Sequence, residues 1–468
     1  MSNQNSAGAY APLHDPARTP LTLRFGGDGL LYLPGDAMPC DWDLADIART
    51  RKESWSAVEE LSEISDLVAE QQQGCADDSA LLSSLDFTKA AFPKRHAKMR
   101  DLLSDLQLKG ENLHKQLPKE LCDKVLRRSA GADGVVTLDQ PLTFFDFKSP
   151  PFLWDICYDG DAKEPLDHHS FWGLRFPITS WFWREISSKI QLGERIFSAV
   201  NEGLSFAGNE VRMLHQRSGA TPKTLKTLDE SLRHYTWSWL KNEKRPDEAE
   251  QLRSDGDDWL KTFLDALYAK EGKNGPKRWN SGAMSDLFDD PTLYDLMHFA
   301  CHCEPSPDES FSRLLLTVGG VDVSIDVASL RREGAASRRK LTPGVGPVVF
   351  LNACGSGGTT GTYEPGLPRA WIKDHSAKAV IATVCPVPDG FAYAFANTFY
   401  RQLFDTFDRN DGWAVPPSAQ KRYLSDTLLA TKRWFMEKYD NPLGLAYVLF
   451  AHNTTFVEPP AIESVSTQ

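Results

Sequence analysis

The sequence predicts an α/β protein built on a mostly parallel sheet with helices on both faces. Three observations carry that expectation. From about Leu287 to Phe456, strand-like apolar runs alternate with helical patterns. Two of these runs, LYDLMHFACH from Leu293 to His302 and VGPVVFLNAC from Val345 to Cys354, are short and apolar almost throughout, as strands buried on both faces are. Each also runs into a reactive side chain where a buried strand would stop, and open α/β sheets place their sites beyond the carboxyl ends of parallel strands.

Taken in order, the chain opens with a polar, Pro/Gly-rich stretch to about residue 20 that reads as unstructured. LTLRFGGDGLLYL, from Leu21 to Leu33, alternates about a GGDG turn and predicts a β-hairpin. Asp43 to about Leu121 has apolar spacing near 3.6, which predicts helices broken at Pro93. Strand-like runs return between Gly134 and Trp183, among them VVTL and FWGLRFPI. The charged stretch from about Thr221 to Lys270 predicts an amphipathic helical hairpin on the surface. After the two apolar runs follow a helix near Leu367 to His375, the strand KAVIATVC, a helix from Asp389 to about Phe407, another from Ser418 to Lys438, and a final strand LAYVLFAH.

Composition narrows the function. A chain of 468 residues with a hydrophobic share of 41% buries sizeable cores, which excludes a small module or a disordered protein. Acidic residues outnumber basic ones 64 to 52, so phosphate backbones are not the expected partner, and no direct nucleic-acid role is assigned. No stretch approaches the roughly 18 apolar residues of a membrane span, and the amino terminus lacks the basic start and apolar core of a secretory signal. A cytoplasmic location follows as the expectation, with the eight scattered cysteines as free thiols.

The chemistry concentrates at the two strand ends. If the apolar runs lie side by side in parallel, His302 meets Cys354, and an imidazole beside a thiol is the minimum apparatus for covalent acyl transfer. Gly355, Ser356, Gly357 and Gly358 follow the cysteine, a turn without bulk over the sulfur that lets backbone N–H groups converge on an oxyanion. The run lacks the Lys-Ser/Thr of a phosphate loop. Cys301 and Cys303 face away from His302 in a strand, which argues against a metal knuckle, and neither a metal nor a cofactor is expected. His298, on the His302 face but deeper, reads either as a packed histidine or as a substrate-cleft residue. Asp389 reads as a helix N-cap and a second candidate for the cleft. LRREGAASRRKLTPGVG, from Leu330 to Gly346, is either a solvated connector or a cleavage or activation loop.

HFACHC, VVFLNACGSG and KAVIATVCPVPDGFAYAFANTFYRQLF together resemble the CHAT domain, a caspase-like peptidase domain of clan CD. The order agrees, because in caspase-type enzymes the histidine lies about 50 residues before the nucleophile. LHKQLPKELCDKVL, PPFLWDICYDGD with Trp154 and Asp155, and AGNEVRML with its glutamate resemble earlier parts of the family, so the likeness spans about Leu106 to Phe456. It implies a catalytic dyad of His302 and Cys354, with backbone N–H groups of Cys303, Cys354 and Gly355 forming the oxyanion hole. Cys303 stands where the family usually has glycine, and Cys385 where tryptophan is common. The implied organisation is a disordered start at 1–20, a hairpin, helical region and non-catalytic caspase-like half at 21–220, a charged helical insertion at 221–275, a catalytic half at 276–456 and a tail at 457–468. The implied function is a cysteine endopeptidase that cleaves a specific partner protein, gasdermin-like or another effector, in bacterial antiviral defence or programmed cell death, with an activating partner. A catalytically weak caspase-like scaffold is the alternative.

Overall fold

In the computed structural model of the chain, the residues described are 21–25, 31–33, 38–75, 77–129, 141–146, 153–181, 189–191, 195–218, 225–254, 259–271, 294–304, 312–331, 346–354, 356, 366–404, 422–452 and 455–458. The hairpin expected at the start is present, β1 (Leu21–Phe25) pairing antiparallel with β2 (Leu31–Tyr32). Four helices follow: α1 (Leu44–Gln72), α2 (Asp78–Ser84), α3 (Pro93–Lys115) and α4 (Lys119–Ser129). The Asp43 carboxylate caps α1 by accepting from the Asp46 N–H at 2.7 Å. Its buried positions Ile47, Thr50, Ser54, Ala57, Leu61, Ile64 and Val68 recur every three or four residues, one stripe that packs on α3. Pro93 begins α3, where its missing N–H has no helical partner in any case.

Then come β3 (Leu142–Asp146), the one-turn α5 (Trp172–Arg175), β4 (Ile178–Trp181), β5 (Lys189–Gln191), β6 (Ile196–Val200), α6 (Ala207–Ser218), β7 (Leu225–Thr227), α7 (Leu228–Asn242), α8 (Pro246–Ser254) and α9 (Trp259–Glu271). The carboxyl-terminal part holds β8 (Leu296–Glu304), β9 (Arg313–Val318), β10 (Val321–Asp326), β11 (Val348–Ala353), α10 (Gly366–Asp374), β12 (Ala379–Thr383), α11 (Asp389–Phe404), β13 (Arg422–Tyr423), α12 (Leu424–Tyr439), β14 (Tyr447–Ala451) and β15 (Phe456–Glu458).

Twelve of the strands form one sheet. Its centre is β6, β8, β11 and β12, all parallel, closed on one side by antiparallel β14. From there β14 pairs with β4, and β4, β3 and β1 continue in parallel. Beside β8 two strands succeed one another: β6 pairs with Leu296 to Ala300, and the β9–β10 hairpin takes over at His302. The α/β expectation therefore holds.

Helices cover both faces. On one face Phe350, Ile381 and Leu449 join α1, α3, α11 and α12 in a single core. On the other, Phe299, Val349, Leu351 and Val380 pack against α7 to α10. Burial on two faces is why β11 and β12 are apolar at nearly every position rather than at alternate ones.

Two expectations differ from the structure. FWGLRFPI is not a strand: Trp172–Arg175 makes a helical turn, and extended pairing starts only at Ile178. The charged segment from 221 is not a surface hairpin alone. It supplies β7 to the sheet and three helices whose Leu228, Leu232, Trp259 and Leu267 are buried against it. Its charges lie on the outer faces of those helices, which masks the apolar faces in the composition. RLLLTVGGVDVSID, which the sequence reading passed over, is the β9–β10 hairpin, with Gly319 and Gly320 both at positive φ in its turn. VVTL and the basic stretch at 332–345 lie outside the described residues. No helix among the described residues is long and apolar enough to cross a membrane.

Candidate active site

The parallel pairing of β8 with β11 runs from Leu296↔Val348 to Cys301↔Ala353. The ladder stops there, and His302 and Cys354 are the next residues after its last pair, His302 still within β8 and Cys354 in the turn that follows β11. Strand alternation gives the face of His302. Cys301 and Ala353 point into the core beside α7 to α10, so His302 shares the other face with His298 and Asn352. Burial ends at the same level. β8 is buried through Cys301 and exposed at His302, while Cys354 is half-buried.

Two hydroxyls fix the end of β11. Thr383 Oγ1 donates to the Ala353 carbonyl at 2.7 Å, and Ser356 Oγ donates to the Leu351 carbonyl at 3.1 Å while accepting from the Thr383 N–H at 3.3 Å. The Ser356 N–H closes a turn onto Ala353 O at 3.0 Å. Cys354 thus sits in a turn tied to both its own strand and β12. Gly355, Gly357 and Gly358 lie outside the described residues.

The Cys354 thiol is directed at a backbone carbonyl, Sγ donating to Val387 O at 3.4 Å. Burial pushes this thiol up from its ordinary value, backbone hydrogen bonds at Val387 and Cys354 oppose the shift, and the Asp389 carboxylate adds to it. At neutral pH the resting group is therefore the thiol. Cys303, half-buried on the opposite face and paired with Leu314 in the β8–β9 ladder, is pushed up to about 12 by burial and by Cys354. Cys385, in the core, is pushed up by burial as well.

Asp389 opens α11 at the same rim, with Oδ1 accepting from the Gly390 N–H at 2.8 Å and Oδ2 from the Ser205 N–H at 2.9 Å. It ties the segment after β6 to the start of α11 and is half-buried. Glu202, in that same segment, accepts from the Gly319 N–H at 2.8 Å and the Gly320 N–H at 3.4 Å, so the β9–β10 hairpin beside His302 is anchored to it too.

His298 does not line a cleft. It is fully buried, with Nδ1 3.0 Å from Tyr400 Oη and Nε2 3.2 Å from Glu210 Oε2. Four residues before His302, it lies beneath α6 and α11, whose side chains supply its partners. The packed alternative is the one that fits, although its contacts are side chains rather than backbone. Glu210 itself, Asn352, Tyr447, Thr383 and Glu202 all escaped sequence reasoning, because each acts through partners far along the chain. Only the glutamate of AGNEVRML carried a signal, through the family resemblance of its helix. Among the described residues, no three His, Cys, Asp or Glu side chains converge to hold a metal ion.

Comparison with known proteins finds a family likeness over the stretch that holds these residues. Residues 215–427 match the model of the CHAT domain. No protein with a curated description matches the chain. Among solved structures, the separase–securin complex of Saccharomyces cerevisiae aligns at 10% identity with a TM-score of 0.32, covering 90% of this chain and 23% of that one. The complex of the RgpB pro- and mature domains of Porphyromonas gingivalis aligns at 10% identity with a TM-score of 0.39, covering 76% of this chain and 77% of the other. The stretch that matches the CHAT domain model carries both His302 and Cys354.

Proposed function

We propose that the chain is a cytoplasmic cysteine endopeptidase that cleaves a specific partner protein, with Cys354 as nucleophile and His302 as general base and acid. The observation that supports this reading is the β8–β11 register, which runs to Cys301↔Ala353, so that His302 and Cys354 each follow its last pair at the level where burial ends.

In this mechanism Cys354 begins as a neutral thiol whose proton rests on Val387 O. As Sγ attacks the substrate carbonyl carbon, His302 takes that proton, the C–S bond forms, and the carbonyl electrons move onto oxygen. Backbone N–H groups of Cys303, Cys354 and Gly355 are assigned to the oxyanion. The imidazolium then gives its proton to the departing amine as the C–N bond breaks, which leaves a thioester. Water, deprotonated by His302, releases the acid and restores the thiol. Asp389, beside the nucleophile and half-exposed, is assigned to the wall along which the substrate approaches.

The half built from β1 to β4 is assigned no catalytic role. A gasdermin-like or other effector protein as substrate, a defence or cell-death role and an activating partner follow from the family resemblance. A scaffold that signals without proteolysis draws on one observation, the resting thiol held on a backbone carbonyl. The test is a comparison of new protein amino termini in cells expressing the wild type, Cys354→Ala and His302→Ala. A cleavage present only with the wild type supports the peptidase, and identical termini in all three support the scaffold.

A further inference from the structure

We propose that Glu210 is a positioning residue that keys the register of β8 against β11 and so holds the two reacting side chains level. This rests on the reading of His302 and Cys354 as the catalytic pair.

Glu210 lies on α6, only 2% exposed, between the two strands that end in the site. Its Oε1 accepts from Asn352 Nδ2 at 3.1 Å, and its Oε2 lies 3.2 Å from His298 Nε2. Asn352 is two residues before Cys354 on β11, and His298 four before His302 on β8. Outward from these, Tyr447 Oη donates to Asn352 Oδ1 at 2.7 Å and Tyr400 Oη lies 3.0 Å from His298 Nδ1. Burial and the Glu210 carboxylate push both phenols up, so both stay protonated donors. A carboxylate only accepts, so Asn352 presents its amide N–H and turns its carbonyl to Tyr447, while His298 Nε2 lies within ion-pair reach of the carboxylate but outside hydrogen-bond geometry.

Register is where this arrangement acts. A strand slip of one residue normally fails because it exchanges the buried face for the solvated one. Here both faces are buried and largely apolar, so a slip between LMHFAC and VVFLNA mostly trades apolar for apolar. The hydrophobic pattern therefore specifies the pairing weakly, and the polar contacts of one buried carboxylate to both strands supply what it lacks. A buried polar group used as a registry key is the best-attested role for such groups. A one-residue slip would move Cys354 about 3.3 Å along the strand and turn it to the opposite face.

The test exploits the polarity. Glu210→Gln removes the charge that faces His298 and, with its N–H turned to β11, sets an amide donor against Asn352 Nδ2. Asn352→Asp sets two carboxylates face to face. Together the two changes restore the link from α6 to β11: the amide introduced at position 210 donates to the carboxylate introduced at position 352, and Tyr447 still donates to that carboxylate. Labelling of Cys354 by a thiol-reactive peptide probe is measured against pH in these three variants, the wild type and His302→Ala. Each single variant is expected to lose about 10- to 100-fold in labelling rate, with the His302-dependent limb of the pH profile gone. The double variant is expected to regain both within about threefold, since additive damage would lower it further. Restoration in the double variant supports the proposal even where a single variant fails to fold. A wild-type rate and profile in Glu210→Gln overturns it, as does a folded double variant no faster than the singles. If His302→Ala keeps the wild-type profile, the catalytic reading falls instead and takes the inference with it.

Discussion

Replacing Lys432 by methionine is expected to destabilise the fold severely and in a pH-dependent way. Lys432 on α12 is 3% exposed and bonds Asp155, itself 5% exposed, in the turn Trp154–Ile156. Burial is the largest influence on Asp155 and raises its pKa, while the Lys432 ammonium opposes that shift. Methionine matches the lysine stem but leaves the carboxylate unpaired among Trp154, Trp172 and Gly173, and breaking a buried pair in this way costs about 3–5 kcal/mol. The carboxyl escapes by holding its proton. A folded state that keeps a proton the unfolded chain releases loses about 1.4 kcal/mol of stability per pH unit above the unfolded value. Acidifying Lys432→Met from pH 7 to pH 5 is thus expected to recover up to about 2.7 kcal/mol relative to wild type. Urea unfolding followed by tryptophan emission reports directly, because Trp154 and Trp172 stack at 6.3 Å beside the pair. Asp155→Asn with Lys432→Met is expected to regain most of the loss. A deficit under about 1 kcal/mol at pH 7, or one that does not shrink on acidification, would refute the reasoning.

Three further outcomes follow from the same geometry. Gly173→Ala places a Cβ 2.6 Å from Asp155 Cβ and 2.8 Å from its carbonyl oxygen, so urea unfolding is expected to show a loss of about 1–3 kcal/mol. Alkylation of Cys354 by iodoacetamide, read by peptide mass mapping, is expected to keep rising above the ordinary thiol value of about 8.5, because burial raises this thiol; Asp389→Asn removes a negative neighbour and moves the curve to lower pH. Glu202→Ala frees the Gly319–Gly320 turn, and hydrogen exchange at Leu314 and Leu315 is expected to accelerate about tenfold, the equivalent of one lost hydrogen bond of about 1.4 kcal/mol; unchanged exchange removes Glu202 as the hairpin's anchor.

The parts of this molecule legible in the sequence are those set by local pattern. HFACH and VVFLNAC read as buried strands because both faces are covered, and their chemistry at the ends was visible for the same reason. Pro93 and the GGDG turn mark an element boundary and a hairpin, as local backbone restrictions do. What stayed hidden depends on distance. Glu210 meets Asn352 across 142 residues and Lys432 meets Asp155 across 277, and no local spacing encodes such pairs. His298 showed its face but not what covers it, which is why a core residue could pass for a cleft residue. Charge hid the second core: α7 to α9 look like surface helices until Leu228 and Trp259 are found beneath β6 and β8. The β9–β10 hairpin is local too, since RLLLTV and VDVSID alternate around Gly-Gly.

The central claim is that His302 and Cys354 act on one proton at the margin of the sheet. A thiol-reactive peptide probe, with the adduct located by mass mapping among the eight cysteines, tests it most directly. Labelling confined to Cys354 in the wild type, absent in Cys354→Ala and sharply reduced in His302→Ala is the predicted result. Labelling of Cys354 at the same rate with and without the His302 imidazole would contradict the account.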